Sequence, residues 1–254
     1  MTLSMWLSDS LEMVRRNLLH IRRTPELLLD VTLSPIMFVL LFNYVFGGAI
    51  NVPGSYVNFM MAGIFVQTIA FAGVYTAVLL ANDLKNGMID RFRSLPMAQS
   101  AVITGRTFTD VLRGMLAIGV MWVVGLLVGF RPDGGGLAAL GAIGLMLLFG
   151  YALSWLGVAM GVVVRTPEAL QGIMFATVFP LTFASSAFVP TETMPDWLQI
   201  FAANQPMTLV VNATRSLLID GTGGPDLMPA LLWTAGILVV AFPLAVWLYA
   251  KRVV

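Results

Sequence analysis

Cysteine is absent from these 254 residues, and histidine occurs once, at His20. Disulfides and thiolate metal sites are therefore excluded, and so is any metal site built from several histidines or cysteines. The single histidine falls in an amphipathic segment near the N-terminus, so no histidine–carboxylate cluster for hydrolytic chemistry is expected around it in the membrane, and His20 reads as a surface residue. Lysine is nearly as scarce. Lys85 and Lys251 are the only two, and neither follows a glycine. A phosphate-binding loop needs glycine, lysine and a hydroxyl residue in sequence, so that backbone amides and the lysine reach the phosphates. The chain has no such loop. Charged residues make up 11% of the sequence, against about 25% in an average soluble domain. The formal net charge is +1, which argues against nucleic acid or another polyanion as a partner.

Apolar residues fill the space that charge leaves. They make up 58% of the chain, with a mean hydropathy of +0.88. A soluble fold of this size could not hide so much apolar surface, whereas lipid as the solvent removes the difficulty. A membrane-crossing helix needs about 20 mostly apolar residues. Six stretches qualify, at about 31–50, 56–80, 111–130, 137–164, 169–188 and 227–250. The expected fold is all-α, one polytopic membrane domain spanning residues 1–254. The first apolar run starts too late for a cleavable signal peptide and is expected to act as an uncleaved anchor. With the N-terminus inside, 12 of the 14 Lys and Arg residues fall in inner segments, leaving only Arg131 and Arg215 outside. The positive-inside rule then puts both termini in the cytoplasm, within a bacterial inner (plasma) membrane.

Two segments fit neither a span nor a plain loop. Between about residues 7 and 24, Leu7, Leu11, Val14, Leu18 and Ile21 recur at helical spacing, with charges on the other faces. This is an amphipathic helix, lying on the inner membrane surface or packed on a partner protein. Between the fifth and sixth stretches, prolines and polar residues prevent a crossing. Trp197, Leu198, Phe201 and Ala202, and then a stretch at 207–219, are nevertheless too apolar for a free loop. Two short helices dipping into the outer leaflet are expected.

The span centres lack ionisable residues, which argues against ion-coupled transport. Asp110 and Arg113 stand at the inner end of the third stretch, one turn apart, and are expected to pair. Aromatic residues crowd spans one, two and five. Phe38, Phe42, Phe59, Phe71, Phe175, Phe179 and Phe183, with Gln67 as a polar member, are the candidate lining of a route for apolar or amphiphilic compounds. Each could equally face lipid or pack against a neighbouring helix, and Gln67 could bond to one.

The loop between spans two and three carries the sharpest pattern. Leu84, Met88, Phe92 and Leu95 share one helical face, charges flank it, and Pro96 ends it. A helix at about 83–95 with an aromatic and two nearby arginines is suited to dock on a protein; the alternative is a solvated connector whose stripe rests on lipid. Asp83, Gly87, Asp90, Arg91, Leu95 and Pro96 resemble the acidic–glycine–acidic–hydrophobic–proline signature of type-2 ABC exporter permeases, specifically the daunorubicin-resistance-like drug exporters. That family often has Glu where this chain has Asp83 and Asp90. The run from Phe179 to Pro190, continuing through Met194-Pro195-Asp196-Trp197-Leu198, Asn204-Gln205-Pro206 and Arg215, is similar to the family's fifth-span motif, with Ser186 near a position that is often Gly. The resemblance implies a coupling helix seated in a cleft of a separate ATPase, touched by Asp83, Gly87, Asp90, Arg91, Phe92, Arg93 and Leu95. It implies two ATPase subunits, which hold the ATP and Mg, and a second permease copy, homodimeric or pseudo-dimeric. No cofactor is expected in this chain. Alternating access would open a drug or lipid route between spans one, two and five. A polysaccharide or glycolipid exporter, and a membrane assembly module that transports nothing, are the competing readings.

Overall fold

In the computed structural model, residues 12–15, 25–50, 52, 54–86, 99–164 and 166–253 are described. Among them there is no strand. Eight helices follow in order: α1 (Pro25–Leu41), α2 (Tyr56–Lys85), α3 (Gln99–Val128), α4 (Gly136–Val163), α5 (Pro167–Phe183), α6 (Asp196–Asn204), α7 (Pro206–Ile219) and α8 (Leu227–Val253). Residues 12–15 are also helical, with Met13 and Val14 buried and Glu12 and Arg15 exposed. That burial matches the amphipathic pattern; the rest of the segment expected at 7–24 lies outside the described residues.

Four of these helices are long and apolar enough to cross a membrane: Tyr56–Lys85, Ile103–Val128, Gly136–Val163 and Leu227–Lys251. Leu33–Phe46 is a shorter apolar helix. Its α-helical part contains Pro35, which removes one backbone donor, and it ends in a wider π-helical turn at Phe42–Phe46. Helix α5 has 17 residues, a rise of about 26 Å. It stops at Phe183, and residues 184–188 form turns, so the helix expected at 169–188 is shorter than the apolar run. Pro167 opens α5 in its first turn, where a missing N–H costs little, and the Thr166 hydroxyl accepts from the Ala169 N–H.

The third helix departs most from the apolar run. It begins at Gln99, well before residue 111. The added turns carry Thr107, Thr109 and Asp110, and Arg113 follows within the next turn, all four buried against the rest of the chain. Asp110 and Arg113 are thus inside the apolar helix rather than at its end. They do not pair directly either. The Thr76 hydroxyl donates to Asp110 Oδ2 at 2.5 Å, and the Arg113 guanidinium lies over the Tyr75 ring, 4.5 Å from its centre.

The bundle is centred on α2, which packs most extensively on α4 and also meets α3, α5 and α7. Small residues permit that approach. A Cβ at Gly157 would collide with the backbone of Gly73, and one at Gly161 with that of Ala77. Close packing of small residues is how helices associate where lipid gives no hydrophobic drive. The main core gathers Val39, Met60, Met61, Phe65, Phe149 and Val210. A second cluster joins α2, α3, α4 and α8 through Leu80, Ile103, Trp155 and Tyr249.

Candidate functional site

Two places bear on function, one at the end of α2 and one between α1, α2, α3 and α5. At the end of α2, Arg106 Nη2 donates to Asp83 Oδ2 at 2.7 Å. Lys85 Nζ stands 3.6 Å from Glu168 Oε1. The first pair ties α2 to α3 and is largely shielded; the second ties α2 to the start of α5 and is exposed. The Glu168 carboxyl is held below the usual carboxylate range, first by its own backbone N–H at the helix N-terminus and then by Lys85. Asp83 and Lys85 stand within four residues of Gly87 in the sequence. Of the expected docking residues, Asp83 is in place on α2. Gly87, Asp90, Arg91, Phe92, Arg93 and Leu95 lie outside the described residues.

The second place is a cavity of about 420 Å³, within the usual range for a small-molecule site. Phe38, Gln67, Phe71, Phe175 and Phe179 line it, so five of the eight expected route residues converge there. The rings of Phe71 and Phe175 are 6.1 Å apart, and those of Phe175 and Phe179 are stacked at 5.0 Å. Phe42, Phe59 and Phe183 do not line it. Phe42 is buried and stacked on Phe188 at 4.0 Å, while Phe183 continues the aromatic row from Phe179 at 4.3 Å. Phe59 faces the other end of the bundle, under Arg215.

Sequence reasoning missed part of this wall. Arg113 lines the cavity, as do Ser34, Thr68 and Gln171. The signal for Arg113 was its position one turn from Asp110, but that spacing suggested a local pair. Its actual neighbour is Tyr75 on another helix, which no local spacing reveals.

Arg215 organises the segment between α5 and α8. Its guanidinium donates to the carbonyls of Ser186 (2.6 Å) and Phe59 (3.1 Å) and to Asn212 Oδ1 (2.9 Å), and it lies 3.7 Å from the centre of the Phe59 ring. Burial pushes its pKa down to about 10, which leaves it charged at neutral pH. Gln205 Nε2 adds a bond to the Leu181 carbonyl at 2.8 Å. These bonds satisfy backbone groups freed where α5 ends. Helix α7 buries Leu209, Val210 and Leu218 inside the protein, whereas Trp197, Ile200 and Phe201 of α6 are exposed.

The sequence profile described as "ABC-2 type transporter" matches residues 10–219. The chain is 37% identical over 246 residues to the daunorubicin resistance ABC transporter permease protein DrrB1 of Streptomyces coeruleorubidus, covering 96% of this chain and 87% of that one. It is 28% identical over 223 residues to the probable doxorubicin resistance ABC transporter permease protein DrrC of Mycobacterium tuberculosis (strain CDC 1551 / Oshkosh), covering 84% and 78%. To the putative transport permease ycf38 of Cyanophora paradoxa it is 26% identical over 212 residues, covering 81% and 72%.

Proposed function

This chain belongs to the ABC-2 type transporter family, and from that premise we propose that it is the permease subunit of an ATP-driven exporter of hydrophobic or amphiphilic compounds. The observation that carries the reading is the similarity along 96% of the chain to a drug-resistance permease. The aromatic-walled cavity supports an apolar or amphiphilic cargo. The buried Asp110 and Arg113 remove the argument that the spans hold no charge, so the case against an ion-coupled carrier rests on the family instead.

Hydrolysis belongs to a separate ATPase, because this sequence has no phosphate-binding loop. Two ATPase subunits and a second permease copy complete the complex. The helix expected at 83–95 docks on the ATPase, with Phe92 as its buried anchor and Arg91 and Arg93 as polar contacts. ATP-driven closure of the ATPases pushes on that helix. The shielded Asp83–Arg106 pair offers a direct mechanical link to α3, one wall of the cavity. A ligand-driven change needs a differential interaction with two states, and ATP at the partner supplies it. The proposed topology has six crossings, with α1 and α5 as the short ones and α6 and α7 entering the outer leaflet; an even number keeps both termini on one side, and the Lys and Arg distribution favours the cytoplasmic side of an inner membrane.

The test is ATP-dependent uptake of daunorubicin into inverted membrane vesicles containing this chain and a candidate ATPase subunit. Uptake that requires both chains and ATP supports the reading. Uptake that persists without the ATPase, or that follows an ion gradient instead, overturns it.

A further inference from the structure

A groove on the flank of the bundle shares no lining residue with the cavity between α1, α2, α3 and α5. It runs along α8 beside Leu156 of α4 and encloses about 600 Å³. Ala241 is buried at its floor, while Trp233, Val240 and Leu244 are exposed along it. All of its lining residues are apolar apart from Gly236, which leaves a slot in the row: a Cβ built there meets no atom within 4 Å. The same face continues to the end of α8. Trp233, Val240, Leu244, Trp247 and Lys251 recur at spacings of seven, four, three and four, which keeps them on one side of a helix. Trp247 is exposed, and the Lys251 ammonium stands 4.0 Å from the centre of its ring. Lys251 pairs with no carboxylate among the described residues. A tryptophan and a free ammonium side by side suit the depth of lipid headgroups. From Trp247 back to Gly236 the helix rises about 16 Å, roughly half of the hydrocarbon thickness of about 30 Å. That is the depth of one leaflet.

We propose that the α8 groove binds one anionic phospholipid of the leaflet next to Lys251, with an acyl chain lying from Trp247 to Gly236 and the phosphate held by Lys251. This goes beyond the permease reading and requires only that α8 cross the membrane. The unpaired ammonium supplies the charge complement, and the apolar groove supplies a seat of one chain's length. A transmembrane helix is the competing occupant. Helices approach closely where small residues let their backbones meet, but Gly236 is flanked by Leu232, Trp233 and Val240. Those side chains hold a helix about 10 Å wide away from the slot, whereas a single flexible chain enters it.

The experiment uses the full-length chain purified in mild detergent. It is titrated with equimolar phosphatidylglycerol and phosphatidylcholine carrying the same acyl chains, and the bound lipid is counted by native mass spectrometry. Wild type is expected to retain one lipid, with phosphatidylglycerol favoured about fivefold, the effect of one lysine at headgroup depth. Lys251→Gln removes that preference and leaves phosphatidylcholine retention unchanged. Gly236→Phe plugs the slot and lowers retention of both lipids about tenfold, as the loss of two buried methylenes does. Gly119→Phe, on α3 with equally open space around it, leaves retention as in wild type. Gly236→Leu is a smaller plug that serves should Gly236→Phe fail to fold. Retention that ignores the plug overturns the proposal, and so does a phosphatidylglycerol preference that survives Lys251→Gln. A plugged protein that keeps its lipid but loses a second copy or a partner chain on size exclusion would give the groove to a protein instead.

Discussion

Arg106 Nη2 lies 2.7 Å from Asp83 Oδ2, joining the last turn of α2 to α3. The side chains are 12% and 21% exposed, against 56% and 75% for Lys85 and Glu168. That difference decides which pair holds the helices together, because exposed ion pairs contribute little and shielded ones leave a costly charge when broken. Asp83→Asn is expected to destabilise the permease by about 1–3 kcal/mol, read as a lower melting temperature in nanodiscs. Glu168→Gln is expected to leave that temperature unchanged. The exchange Asp83→Arg with Arg106→Asp should recover most of the loss; failure of the exchange would mean that the site needs Asp83 for something other than this pair.

Gly157 and Gly161 set the distance between α2 and α4. Replacing Gly157 with Leu forces a side chain into the backbone of Gly73. No flexible side chain is available there to give way, so the bundle must separate. The expected outcome is loss of monodisperse protein on size exclusion, whereas Gly144→Leu, with open space around it, behaves as wild type.

Arg215→Lys is expected to be nearly as damaging as Arg215→Ala. A lysine carries the charge but cannot reach three acceptors in a fixed fork while lying flat on Phe59. Accelerated proteolysis within residues 184–226 would report the loosening; equal protection in wild type and Arg215→Lys would show that charge alone suffices.

The absence of cysteine makes the native chain a clean background for topology mapping. Single cysteines at Thr222 and Lys251 are both exposed positions. Six crossings with cytoplasmic termini require Thr222→Cys to react with an impermeant maleimide on intact cells and Lys251→Cys to react only after permeabilisation. The reverse pattern, with Lys251→Cys reacting on intact cells and Thr222→Cys only after permeabilisation, would remove one of α1 and α5 from the set of crossings; both reacting from the same side would mean that α8 does not cross.

The uninterrupted apolar runs made α2, α4 and α8 legible in the sequence, because those helices are apolar on nearly every face. The first turns of α3 were not. Their polar residues bond within the protein, as Asp110 does with Thr76, and a hydropathy reading takes polar residues as an end to the span. Helix α5 was overextended for the opposite reason: Ala184, Ala187 and Phe188 are apolar, but they pack inside the protein as a turn. The aromatic character of spans one, two and five was visible, and so was Gln67 as a polar exception. Which aromatic rings converge was not visible. Phe38, Phe71 and Phe175 meet only once three helices assemble, and Phe59, identical in composition, faces Arg215 instead.

The proposed drive of this chain by a separate ATPase, through the segment at 83–95, can be tested on the assembled complex. The direct measurement is ATP hydrolysis by the co-purified complex in nanodiscs, with wild type compared with Arg91→Ala plus Phe92→Ala. The double variant is expected to lose ATPase association or permease-stimulated turnover while the permease keeps its melting temperature. Unchanged assembly and turnover would contradict it, and would favour a membrane module that transports nothing.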